Sequence, residues 1–163
     1  MNRNLLAVAL IASGLIAPAA LAQGTHTVNV QAVVIGTCKF NSAGPTLVNV
    51  TNGGAGSTID PSLTGAGAAV GSANITFRCT ANTTSSMDVA GVPYAGPVAR
   101  TLTSGSGSMG YTLTLTGAAQ PGTGFGAGGS DLTLAVGASI AEVVWSVAAA
   151  DTYTESVVLT VNP

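Results

Sequence analysis

The chain has 163 residues, with 4 basic and 6 acidic side chains and a net charge of −2; it is 47% hydrophobic but only 4% aromatic and 6% charged, with 22 glycines. Phosphate binding needs clustered Lys or Arg, and the sequence has no basic run, which excludes nucleic acid as a partner. The apolar content is mainly Ala and Val, so the core must be thin and built from small groups.

The first element is a leader. Arg3 precedes an apolar run from Leu5 to Ile16, and "PAALA" ends in a small-x-small cleavage signal at Ala22. This pattern predicts a secretory signal over 1–22, too short for a stable membrane span. The exported chain would start at Gln23 and fits one domain.

Beyond it, period-two patterns recur and no helical stripe is found. Strands are expected over Thr27–Val34, Thr37–Phe40, Thr46–Val50, Ala73–Cys79, Ser86–Ala90, Tyr111–Thr116, Asp131–Val136, Ala141–Val147 and Tyr153–Val161. They are rich in Val, Thr and Ile and separated by Gly, Pro, Asn and Ser clusters. "NGGAGSTIDPSLTGAGAAVGS" and "QPGTGFGAGGS" read as loops, the first long enough to hold a short helical turn. The fold class is all-β, an antiparallel β-sandwich. Trp145, inside an expected strand, is assigned to the core.

Cys38 and Cys79 are the only cysteines. In an exported protein they are expected to form one disulfide. No catalytic constellation emerges. His26 is the sole histidine, and the carboxylates are scattered singly, so neither a nucleophile–base pair nor a glycosidase pair can be nominated. No metal-ligand cluster or calcium loop is present. Gly105, Gly107, Gly110 and Gly124, Gly126, Gly129 match G-x-G-x-x-G, but both runs feed strands rather than a helix N-terminus, so no dinucleotide site is expected. The sequons at Asn49, Asn74 and Asn82 carry little weight in a threonine-rich chain. The expectation is a non-enzyme with no cofactor, no metal and no small-molecule substrate.

The two ends alternate most strongly. In "TVNVQAVV", Val28, Val30, Ala32 and Val34 share one face, while Thr27, Asn29, Gln31 and Val33 share the other. In "TYTESVVLTVNP", Tyr153, Val157, Leu159 and Val161 share a face with Glu155, opposite Thr154, Ser156, Val158 and Thr160.

"GTCKFN", "ANITFRCT", "ARTLTSGSGSMGYTLTL" and "DTYTESVVLTVNP", in this order across nearly the whole exported chain, resemble the spore coat protein U domain. That family includes subunits of archaic (Csu-type) chaperone–usher pili. The resemblance implies an immunoglobulin-like sandwich over 36–163 that lacks its final strand. It implies also a donor segment over 23–35, with Val28, Val30, Ala32 and Val34 entering the groove of a neighbouring subunit. Burying three valines and an alanine there is worth about 5–7 kcal/mol. Tyr153, Val157, Leu159 and Val161 would form the edge that a periplasmic chaperone pairs with before an outer-membrane usher exports the subunit. The implied location is the bacterial cell surface, in a pilus of identical or related subunits. The alternative is a monomeric coat-like protein whose first strand folds into its own domain.

Overall fold

In the computed structural model, the described residues are 27–42, 44–53 and 58–163. The leader expected over 1–22 and the lone His26 lie outside them. The chain divides into two units, Met1–Val33 and Val34–Pro163.

In the first unit, residues 27–33 form no strand, and Val28, Val30 and Val33 are exposed. The strand expected over Thr27–Val34 is thus not formed. Alternation gives a segment two faces, but a ladder also needs a second strand to take its N–H and C=O groups.

The second unit contains β1 (Cys38–Phe40), β2 (Ala69–Cys79), β3 (Ser86–Val89), β4 (Val92–Pro93), β5 (Val98–Ser104), β6 (Gly107–Thr116), β7 (Leu132–Ile140), a single helical turn α1 (Glu142–Trp145) and β8 (Leu159–Asn162). One sheet has the order β1-β2-β7-β6-β5 and the other β4-β3-β8, with every pairing antiparallel. The fold is all-β and sandwich-like.

Alternation decides which side each strand buries. Met109, Tyr111, Leu113 and Leu115 of β6, and Leu132, Leu134, Val136, Ala138 and Ile140 of β7, all turn inward. Phe77 and Cys79 complete this face from β2, and Met87 and Val89 reach it from β3. The sheets are tied at one point by Tyr94, just after β4, whose hydroxyl accepts the Leu115 N–H of β6 at 2.8 Å.

Cys38 and Cys79 form the expected disulfide. They are direct cross-strand partners in the β1–β2 ladder. The neighbouring pairs carry the hydrogen bonds, for example Thr80 N–H to the Thr37 carbonyl at 2.9 Å. The cysteines therefore occupy a non-hydrogen-bonded position, where antiparallel backbones come closest, and their Cα atoms are 4.1 Å apart.

In this second unit, three further expected strands need correction. Ala141–Val147 contains α1 instead. Its turn is fixed by contacts distant in sequence: the Glu142 carboxylate accepts the N–H groups of Gly65 and Gly67 at 2.5 and 2.9 Å, and Trp145 Nε1–H donates to the Gly67 carbonyl at 3.2 Å. Trp145 is buried as expected, but from a helix. Thr46–Val50 joins no ladder, and in Tyr153–Val161 only the end, from Leu159, belongs to a strand. Conversely, β5 and the two-residue β4 were not anticipated.

Candidate functional site

The second sheet has three strands, one only two residues long, against five in the first. It cannot cover the larger inner face. The uncovered part is an open apolar cavity of about 970 Å³. Its floor is Ile75 of β2, Val136 and Ala138 of β7, and Met109, Tyr111 and Leu113 of β6. Ile75 of this floor and Leu102 of β5 are half-buried, while Met109, Tyr111, Leu113, Val136 and Ala138 are buried, and Phe77 and Leu134 are inaccessible.

Two stretches form the rims, Pro45–Val50 on one side and Tyr153–Val157 on the other. Phe40 stands at the β1 end, and Trp145 at the end where β7 runs into α1. The second rim is extended. Tyr153, Glu155, Val157, Leu159 and Val161 are half-buried, and Thr154, Ser156, Val158 and Thr160 are exposed, the two faces read from the sequence. It is held at Thr154, which exchanges two backbone hydrogen bonds with Thr103 (3.0 and 2.9 Å), and at the Val158 carbonyl, which accepts the Ala90 N–H at 2.8 Å. Among the described residues, no backbone–backbone hydrogen bond joins Glu155–Val157 or Thr46–Val50 to the rest of the chain. Among the described residues, the rims thus offer two rows of peptide groups outside any ladder, along an apolar floor.

The first rim is set by a missing side chain. A Cβ on Gly71 of β2 would collide with the carbonyl of Asn49, so only glycine lets Thr46–Val50 lie so close to the sheet. Beyond Val50, the chain bridges to β2 through Thr51 and Val70, with hydrogen bonds of 3.0 and 2.9 Å.

One polar group interrupts the groove wall. Glu155 Oε1 accepts from Arg100 Nη2 of β5 at 2.5 Å, with the two side chains 19% and 24% exposed. Glu155 Oε2 and Arg100 Nε have no hydrogen-bond partner and are sealed from solvent. The hydrogen bond to Glu155 raises the Arg100 guanidinium above its ordinary value. Tyr111, beside the pair, has its phenol pushed up to about 12, first by burial and then by the Glu155 carboxylate. Sequence reasoning placed Glu155 on the right face but missed Arg100 and Tyr111. The alternation of Val98, Arg100 and Leu102 on the inner side of β5 was the signal that could have found the first.

The structure brings Tyr153, Val157 and Leu159 together on the groove rim, and Val161 lies on the same strand face, packed against the core. Val34 is exposed at the start of the second unit, and Ala32, like Val28 and Val30, is exposed in the first. Cys38 and Cys79 lie at the β1 end, outside the cavity lining. Among the described residues, no group of three or more His, Cys, Asp or Glu side chains could hold a metal ion, and no helix is long and apolar enough to cross a membrane. No family model, curated protein or solved structure matches the chain.

Proposed function

We propose that this protein is a structural subunit of a surface pilus, polymerised by donor-strand exchange along the chaperone–usher route. The observation that carries the reading is the apolar groove between two rims whose Thr46–Val50 and Glu155–Val157 stretches join no backbone ladder among the described residues, in a chain that also has an exposed arm of alternating valines. Unpaired strand edges invite pairing with another chain, and β-strand addition joins backbone hydrogen bonds to side-chain pockets. In this reading the fold is an immunoglobulin-like sandwich short of one strand. Val28, Val30, Ala32 and Val34 of one subunit fill the groove of the next, and a periplasmic chaperone occupies it beforehand along the Tyr153–Val161 edge. The role is structural, not enzymatic, and its site is the bacterial cell surface.

The test is a denaturing gel of surface-shed protein, with and without boiling, beside a deletion of 27–34. A ladder that collapses on boiling and is lost in the deletion is the expected result. A single monomer band without boiling would mean that the arm folds into its own domain.

A further inference from the structure

A second, open hollow of about 420 Å³ is lined by Lys39, Phe40, Asn41, Arg78, Phe125 and Asp131. Lys39 and Arg78 alternate with the inward Cys38, Phe77 and Cys79, so they face away from the groove. They are direct partners in the β1–β2 ladder, and like charges placed directly opposite repel. The chain has only 4 basic residues and a net charge of −2, yet two of the four meet at this rung. Phe125 is equally out of place. Of the 3 phenylalanines, Phe40 and Phe77 pack edge to face with ring centroids 6.3 Å apart, while Phe125 stands 38% exposed on a glycine-rich loop. We propose that this hollow binds an acidic sugar, with the sugar carboxylate on Lys39 and Arg78 and the apolar face of its ring against Phe125.

The positive charge is only half answered. Arg78 Nε donates to Asp131 Oδ1 at 2.5 Å, and Arg78 Nη1 donates to the Phe125 carbonyl at 3.5 Å. These bonds hold the guanidinium, and its Nη2 has no hydrogen-bond partner among the described residues. Lys39 belongs to neither ion pair of the described residues, and its Nζ lies 5.7 Å from the centroid of the Phe125 ring. A ring face orients an ammonium without cancelling its charge. Two cations against one carboxylate leave the hollow positive in an acidic protein. A ligand carboxylate would complete the set through charge-assisted hydrogen bonds.

The ring is held ready. The Thr123 hydroxyl accepts the Ser130 N–H at 2.8 Å and donates to the Ser130 carbonyl at 2.9 Å, closing the neck of the loop. The Gly124 N–H donates to the Cys79 carbonyl at 3.0 Å, which fixes the loop to the end of β2. Little ordering is then left to lose on binding. A pyranose ring has hydroxyls at its edge and C–H groups on its face, and a rigid aromatic beside a few polar groups suits both. Asn41 and Asp131 supply those polar groups. A bare inorganic anion would use the two cations and leave Phe125 and Asp131 without a role.

The test is a calorimetric titration of surface-shed protein, in whatever state of assembly, with trigalacturonic acid, its neutral methyl ester and sodium acetate. The acid is expected to bind at least tenfold more tightly than either of the others, and added salt should weaken it. No binding of the acid would overturn the proposal. Equal binding of the ester would remove the role of the cations, and equal binding of acetate would reduce the site to a simple anion site; either overturns it. Lys39→Gln and Phe125→Ala, both exposed, should each weaken the acid at least tenfold with the thermal midpoint in place. Unchanged affinity in both variants would put the sugar elsewhere and overturn the assignment. The gel ladder reads strand exchange separately, so a monomer band with sugar binding intact would remove that reading alone.

Discussion

Arg100 and Glu155, 55 residues apart in sequence, meet through a 2.5 Å ion pair that fastens the last stretch of chain to β5. It lies one residue from the Thr103–Thr154 bridge, so backbone and side chains hold the rim at the same place. Glu155→Ala would leave the Arg100 guanidinium half-buried and uncompensated. The expected cost is about 2–3 kcal/mol, reduced from a fully buried pair because both side chains keep some water. A urea midpoint unchanged from the parent would show that the pair does not hold the rim.

Tyr111 makes the fold sensitive to alkali. Its phenol sits near 12 rather than 10.0, so above pH 10 the unfolded chain releases a proton that the folded chain keeps. The unfolded state then binds fewer protons, and stability falls as pH rises. The contribution is whole below pH 10 and lost as the pH climbs to about 12, a change of about 2–3 kcal/mol. Tyr111→Phe should flatten this slope between pH 9 and 12 in urea titrations; an identical slope in the variant would assign the effect elsewhere.

On the acid side, Asp60, Asp131 and Asp151 are each held below the usual carboxylate value. The main causes are the Ser62 side chain for Asp60, Arg78 for Asp131 and the Ser106 side chain for Asp151. Their contribution is present above the ordinary carboxylate range and is lost as pH falls through their lowered values. All three are at the surface, so added salt should weaken the Asp131–Arg78 share. A stability that rises on acidification below pH 4 would contradict this.

Gly71 is expected to be intolerant of any side chain. Gly71→Ala forces the Asn49 carbonyl away from β2, at a cost of about 1–3 kcal/mol for overpacking. Because Thr46–Val50 is the movable partner, the groove should change width more than the sheet changes stability. On the proposed strand exchange, polymer yield should therefore fall more sharply than the thermal midpoint, and equal falls would place the strain in the sheet.

Removing the disulfide with Cys38→Ser and Cys79→Ser frees a loop whose ends are 41 residues apart. Chain entropy assigns this about 4 kcal/mol. For a domain with so few large side chains that is a major share of the margin. A loss under 1 kcal/mol in urea unfolding would mean that the β1–β2 ladder holds without it.

The strands with inward Leu, Val and Tyr were legible because alternation and burial coincide in them, as in Tyr111–Thr116. Their ends were not. β6 begins four residues earlier, through Gly107 and Gly110, which carry no pattern, and β7 extends through Gly137 and Ser139, which pair with β6 without a hydrophobic signature. β5 was missed because Arg100 occupies an inward position, and the charge makes sense only beside Glu155. α1 was read as a strand because four residues are too few for helical periodicity, and the Gly65 and Gly67 amides that fix it lie 77 and 75 residues away. Of the candidate site, the rim from Tyr153 to Leu159 could be read directly. The cavity could not, since it reflects the unequal widths of two sheets, which no local stretch encodes.

The disulfide has a mechanical consequence. Gly36, where the arm begins, is two residues ahead of Cys38, and Cys38 is the first residue of β1. Any tension on the arm would reach β1 end-on and, without a cross-link, would peel away a strand of only three residues. The sulfur bridge diverts that load at once into Cys79, at the end of an eleven-residue strand paired with β7 along most of its length. The shortest strand in the sheet is thereby spared from bearing the pull.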